Sequence, residues 1–469
     1  MQEPANLELT PEQMRALGYR VVDMLVEHFA HLKDLPVGAR GRPEVLRARL
    51  MTPPPEAPGD AMELLSFLER EVFPNNLKVD HPRFFAFVPG PNNFVSAMAD
   101  ALAAGRNVFN GTWLGGSAAA MLELTVIDWL RSFCGLPASA GGVLVSGGSV
   151  ANLTALAVAR HAMLDDDLSG AVAYLSDQTH SSLVRALRVI GLRAAQIRVI
   201  ESGSDFRLPV DALGEAVQRD VAAGLRPFCV IANAGTTNTG AVDPLPELAD
   251  LCAAEKLWLH ADGAYGAAAA ICERGRGELR GLERVDSLSL DPHKWLFQSI
   301  ECGCVLLRDR ELLRRFYRVM PEYLRDVHKG EAEVHPCDYG IQLTRGFRAL
   351  KLWLSIETFG MEAFRRAVAW GFHLAEFAER ELSLTKGCRI VSPARLGVVC
   401  FDFPGARRHA GEVVDGMLAE GYAFLTSTRL KGVECLRLCT INPRTTEVEV
   451  RETVRRVAAM AIGDASSRD

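Results

Sequence analysis

The sequence predicts an α/β protein built on a mostly parallel sheet, with a helical segment before it and a small α+β unit after it. Two observations carry this expectation. Short apolar runs at 143–146, 171–176, 197–200, 228–232, 258–261, 287–290 and 303–307 are separated, in most cases, by helical patterns such as 151–164 and 246–256. Strands buried on both faces and alternating with helices make a parallel sheet. After a helix at 348–359 the texture changes, and runs at 397–403, 422–427 and 435–440 accompany helices at 410–420 and from Thr446 onward. The 469-residue length suits about two to three folding units. They are expected at 1–85 (helical), 86–360 (the large α/β unit) and 361–469 (the small one).

The first segment opens on Thr10-Pro11-Glu12-Gln13, with a capping threonine, proline at the first helical position and glutamine three residues after the cap. Met14, Leu17, Val21, Leu25 and Phe29 follow at helical spacing. Their apolar stripe suits either this chain's own core or a second subunit. Residues 35–60, which include Pro53, Pro54, Pro55 and Pro58, predict an extended connection, and 61–73 predicts a second helix.

Composition narrows the function class. A hydrophobic content of 48% with 23% charged residues describes a globular chain. The net charge of −6 offers no basic field for nucleic acid or an anionic membrane. The polar, acidic start lacks the basic-then-apolar pattern of a secretory signal, and no run nears the roughly 18 apolar residues that span a bilayer. A cytoplasmic protein is expected. Eleven cysteines, an odd number scattered through apolar segments, read as reduced, buried thiols. Cys302 and Cys304 are the closest pair, but they are not spaced as Cys-x-x-Cys and no second pair joins them, so no metal site is expected.

Chemistry concentrates where the predicted strands end. Ser146-Gly147-Gly148-Ser149 closes one strand and opens a helix. Paired glycines admit an anion close to the backbone, and helix amides and the Ser149 hydroxyl can hold it; a plain tight turn fits this segment equally well. His180 follows another strand, where an imidazole is either a helix cap or a ligand contact. Thr237 lies in Gly235-Thr236-Thr237-Asn238-Thr239-Gly240, a loop whose hydroxyls suit a ligand or nothing in particular. Asp262 ends the run from Trp258, where a carboxylate is costly unless it meets a cation or a strong donor. Finally, Asp291-Pro292-His293-Lys294-Trp295 turns after a buried strand and delivers one lysine to its edge. A desolvated lysine there can form a Schiff base with an aldehyde. A phosphate cradle, an imidazole, a carboxylate and an amine form the inventory that pyridoxal phosphate needs.

These segments, with His81-Pro82-Arg83-Phe84-Phe85-Ala86-Phe87 and Trp258-Leu259-His260-Ala261-Asp262-Gly263-Ala264-Tyr265, resemble the pyridoxal-phosphate-dependent group II amino-acid decarboxylases, the aromatic-amino-acid family. The likeness runs from about residue 8 to 440. It implies the aspartate-aminotransferase type of fold and a homodimer whose N-terminal helices clasp the partner and whose active sites lie at the interface. It further implies that Lys294 binds the cofactor aldehyde and that Asp262 keeps its ring nitrogen protonated. His180 stacks on one ring face and Ala264 lies on the other. Gly148, Ser149 and His293 take the phosphate, and Thr237 lies alongside. Asp291 stands where the family carries asparagine, next to the phosphate.

The substrate pocket implied by the resemblance includes Phe87, Pro89, Gly90, Gly111 and Trp295. Gly90 replaces a hydroxyl residue and Gly111 a phenylalanine of animal members, which implies a roomier pocket. On the loop 331–342, Pro336 occupies the place of the family's proton-donating tyrosine. Tyr339, three residues on, takes either that catalytic role or that of an aromatic anchor. The expected reaction is decarboxylation of an L-amino acid, aromatic by the surface that Phe87 and Trp295 offer, to the amine. The alternatives are oxidative decarboxylation to an aldehyde, transamination or β-elimination on the same fold, and a catalytically silent binding protein.

Overall fold

The computed structural model describes residues 7–319, 330 and 332–463; Glu331, where the expected loop begins, lies outside them. Seven strands form the large sheet: β1 (Gly141–Val145), β2 (Ala171–Ser176), β3 (Ile197–Ile200), β4 (Arg226–Asn233), β5 (Trp258–Asp262), β6 (Ser287–Leu290) and β7 (Gly303–Leu307). Their order is β1-β7-β6-β5-β4-β2-β3, with only β7 running against its neighbours. No helix intervenes between β6 and β7, so the chain returns beside β6 in the opposite direction. That irregular return contains Lys294. Alternate residues feed two cores, as the pleat requires: Leu144 packs on one face of the sheet, and Val143 and Val145 on the other.

The small sheet is antiparallel, in the order β10-β11-β9-β8, from β8 (Arg389–Arg395), β9 (Val398–Asp402), β10 (Thr426–Leu430) and β11 (Val433–Cys439). The sequence reading misses β8, an edge strand with arginines at both ends and a proline inside it. It also places a strand at 422–427, whereas residues 423–425 are buried against the 83–86 segment. There Phe85 N donates to Phe424 O at 2.7 Å and Phe424 N donates to Arg83 O at 3.1 Å.

The helix expected to stop at 359 continues as Ala349–Leu384, bent at Gly360, whose φ of 72° only glycine adopts readily. The predicted capping box closes at the N-terminus: Thr10 Oγ1 accepts from Gln13 N, and Thr10 N donates to Gln13 Oε1 at 2.9 Å. The Pro11–His31 helix buries none of its residues within this chain. Within 35–60, expected to be extended, residues Pro43–Leu50 form a short helix with Pro43 at its first position. No described helix is long and apolar enough to cross a membrane. The eleven cysteines are unpaired thiols, and all but Cys388 are buried.

Candidate active site

The carboxyl ends of β1, β2, β4, β5 and β6 converge on one cavity of about 400 Å³. Open α/β sheets bind ligands at this edge. Lys294, His180, Asp262, Ala264, Gly148, Ser149, Thr237, Asp291 and His293 all line it, so the structure gathers every residue that the sequence reading assigns to the cofactor.

At the cradle, β1 turns through Gly147 into the Gly148–Leu164 helix, whose first amides have no acceptor within the helix. The backbone of β7 closes in behind: a Cβ on Gly303 would sit 2.4 Å from Gly147 Cα. A Cβ on Gly148 would come within 3.1 Å of both Ala264 Cβ and Asp291 Oδ2. Backbone amides and bare glycine are what an anion needs at this corner.

Opposite the cradle, Asp262 is buried and held on both oxygens. Oδ1 accepts from Ser289 Oγ at 3.0 Å and from Ala264 N at 3.1 Å, while Oδ2 faces Asn152 Nδ2 at 3.4 Å. Lys294 Nζ pairs with Asp291 Oδ2 at 2.9 Å. Asp291 Oδ1 is buried and has no partner. His293 is tied through Nδ1 to the backbone of Cys302, and burial lowers its pKa. His180 Nδ1 lies 2.8 Å from Ser182 Oγ.

A group with an aldehyde, a basic ring nitrogen and a phosphate fits these residues. An amine, a buried carboxylate and a helix N-terminus of bare glycines face one space, and an unpartnered polar atom lies on its wall.

The expected substrate residues fare differently. Trp295 is fully buried in the core, stacked on Tyr265 with centroids 6.0 Å apart and packed against Phe372, so it is structural rather than a pocket surface. Phe87 is 57% exposed, packs beside Phe84 and Phe424, and does not line the cavity. Pro89 is buried away from the lining, and Gly90 is not part of it either, although a Cβ there would lie 3.3 Å from His293 O. Gly111 gives no extra room, because a Cβ there would meet Phe109 Cζ at 2.3 Å and Leu343 O at 2.6 Å. Tyr339 is 8% exposed, packs in the core that holds Val143, and lines a second cavity with Glu123 and Arg310. In this conformation it is an anchor and not a group at the Lys294 cavity.

Asn152, Ser182, Asn233, Tyr265, Ile300 and Glu301 also line the cavity or its mouth and have no role assigned to them in the sequence reading. Asn152 had a signal, as a polar residue one helical turn after Gly148 in an otherwise apolar run. Asn233 had none, being the last residue of a strand. Its side chain is fixed by Asp243 Oδ2 at 2.8 Å and Ser176 Oγ at 3.2 Å, and burial raises the Asp243 pKa to about 6.

The profile described as Pyridoxal-dependent decarboxylase conserved domain matches residues 43–403. Over 465 residues the chain is 48% identical to an aromatic-L-amino-acid decarboxylase of Bacillus atrophaeus, covering 97% of each chain. A phenylacetaldehyde synthase of Arabidopsis thaliana is 31% identical over 94% of both. Among solved structures, Oryza sativa TDC with PLP and tryptamine superposes with a TM-score of 0.91 at 30% identity, covering 98% of this chain and all of that one. The chain belongs to the pyridoxal-dependent decarboxylases, and pyridoxal phosphate is the cofactor for which this strand edge is built.

Proposed function

We propose that the protein removes the carboxylate of an aromatic L-amino acid as carbon dioxide and releases the amine. One observation carries the choice of substrate. Among the described lining residues the cationic or titratable bases are Lys294, His180 and His293; no arginine is present, and Glu301 adds an acid. A substrate with a second carboxylate would find no committed cation here, whereas a flat apolar side chain needs none. The 48% identical relative named for aromatic substrates supports the same class.

When bound, pyridoxal phosphate supplies an electron sink for the bond that breaks. Lys294, paired here with Asp291, would be the residue that holds the cofactor at its aldehyde. Asp262, whose Oδ1 already takes hydrogen bonds from Ser289 and Ala264, would keep a proton on the ring nitrogen. His180 and Ala264, which line the same cavity, would bracket the ring, and Gly148, Ser149 and His293 would hold the phosphate, with Thr237 alongside. The protein's own share is orientation and electrostatics.

The exposed apolar side chains of the Pro11–His31 helix, among them Met14, Val22 and Val26, support a homodimer with sites at the interface. The exposed Phe87 is then available to a neighbouring subunit. Gly360 supports a boundary between 86–360 and 361–469, with 1–85 as the helical clasp, and a cytoplasmic location is kept.

A second reading, oxidative decarboxylation to an aldehyde, is favoured by the placement of Tyr339 away from the cavity. That reaction also consumes oxygen and water and releases ammonia and hydrogen peroxide. Incubating the cofactor-loaded enzyme with tryptophan, phenylalanine, tyrosine and, as a control, glutamate decides between them. Amine and carbon dioxide in equal amounts from an aromatic substrate support the first reading, and aldehyde with peroxide supports the second. Turnover of glutamate alone removes the aromatic assignment.

A further inference from the structure

Asp262 and His180 stand at the ends of different strands, yet one buried side chain connects them. Asn152 Nδ2 lies 3.4 Å from Asp262 Oδ2 and 3.3 Å from Ser182 Oγ, and Ser182 Oγ lies 2.8 Å from His180 Nδ1. On its other side, Asn152 Oδ1 lies 3.0 Å from His260 Nε2. His260 Nδ1 is 2.8 Å from Ser287 Oγ, which accepts from Trp258 Nε1 at 2.8 Å. Asn152 and His260 are fully buried, and Ser287 is 1% exposed. We infer that Asn152 is a positioning residue that sets Asp262 and His180 together, and that the His260 imidazole sets the orientation of Asn152.

The polarity of the chain follows from its two ends, because indole N–H only donates and an ionised carboxylate only accepts. At Asp262 the carboxylate takes an Asn152 amino hydrogen, so Asn152 Oδ1 faces His260 Nε2 as an acceptor, and His260 Nδ1 is left to accept the hydrogen of Ser287, whose oxygen accepts from Trp258. His260 therefore carries its hydrogen on Nε2 and donates it to Asn152 Oδ1. The same amino group faces Ser182, and the Ser182 hydrogen goes to His180 Nδ1, which also receives Ser182 N–H at 3.3 Å. A flipped Asn152 would set two acceptors 3.4 Å apart at Asp262. It would also leave its NH2 against His260 Nε2, a buried mismatch that costs about 1–3 kcal/mol. Burial lowers the His260 pKa to about 4, so the imidazole is neutral at neutral pH, as this direction requires. His180 in turn keeps its hydrogen on Nε2.

The inference rests on the family's cofactor and not on the substrate proposed above. It is tested on the holoenzyme with Asn152→Leu, His260→Leu and His260→Gln. The readouts are the pH titration of the bound cofactor's visible absorbance and the equilibrium binding of pyridoxal phosphate. Loosening Asp262 weakens its hold on the ring proton. Asn152→Leu and His260→Leu are therefore expected to move the absorbance midpoint by about one pH unit and to weaken cofactor binding about tenfold. The glutamine amide can still donate to Asn152 Oδ1, so His260→Gln is expected to restore both values to within about threefold. Where leucine at 152 does not fold, Asn152→Ala removes the same amide and leaves room. Folded Asn152 and His260→Leu variants with a wild-type midpoint and affinity overturn the inference, as does His260→Gln behaving like His260→Leu.

Discussion

Lys294 Nζ lies 2.9 Å from Asp291 Oδ2, so the amine proposed to meet the cofactor aldehyde is held by a carboxylate three residues before it. The other oxygen, Asp291 Oδ1, is buried without a partner, and Oδ2 lies 3.1 Å from where a Gly148 side chain would begin. A carboxylate beside a phosphate cradle repels the phosphate as well as steadying the lysine. Asp291→Asn is expected to tighten pyridoxal phosphate binding by roughly tenfold, about 1.4 kcal/mol, read by titration of cofactor fluorescence. Unchanged or weaker binding would show that the steadying of Lys294 outweighs the repulsion.

Lys294→Ala is expected to abolish the borohydride-sensitive absorbance of the bound cofactor and to lower turnover on the order of a thousandfold or more. Spectra and product assays on the same preparation check both, and a variant with normal turnover would remove Lys294 from its role.

Gly303 lies where the backbones of β7 and the cradle touch, since a Cβ would sit 2.4 Å from Gly147 Cα. Gly303→Ala must push Gly147 out of place, and the anion site moves with it. We expect cofactor affinity to fall by about tenfold or more while the fold survives, as read by equilibrium dialysis alongside circular dichroism.

Arg345 and Glu123 form an ion pair with both side chains only 2% exposed, and Arg345 also donates to the carbonyls of Asn110 and Leu144. Arg345→Leu strands a buried carboxylate, at a cost of about 3–5 kcal/mol. Its thermal midpoint should drop by several degrees, and Glu123→Gln/Arg345→Leu together should recover part of the loss.

Stability should respond to acid through two buried imidazoles. Burial lowers His260 and His81 to about 4. The unfolded chain takes up these protons near the ordinary histidine value and the folded chain only near 4, so stability present at neutral pH is lost as pH falls through that window. Asp243, raised to about 6, acts in the opposite sense: its contribution is present at low pH and lost as pH rises through 6. Replacing His260 with Gln should flatten the acid limb of a denaturation-midpoint profile between about pH 6.5 and 4. An unaltered limb would count against a buried neutral His260.

The large sheet was legible because strands such as β2 and β4 are mostly apolar and buried on both faces, whatever they pack on. β8 was not, because an edge strand with arginines at both ends looks like a loop until a neighbour supplies its hydrogen bonds. Lys294, Asp262, His180 and Ser149 were legible because each is a reactive or anion-seating type placed at or just past the end of a strand, whereas Ala264, His293 and Asp291 were assigned to the cofactor by the family resemblance. Trp295 was misread, and Tyr339 stayed undecided between a catalytic role and an anchor, because an aromatic side chain looks the same in sequence whether it lines a site or fills a core.

By itself, then, the sequence determined the alternation of strands and helices and the residue types at each strand end, since both follow from local pattern. Only the tertiary structure decided which of those ends share a space and which side chains join them. Asn152 reaches Asp262 and, through Ser182, His180 only because the sheet sets β2 and β5 on either side of β4, and a helix crosses their ends. The contacts that orient a buried polar group span a hundred residues and more of chain, and no local pattern encodes them.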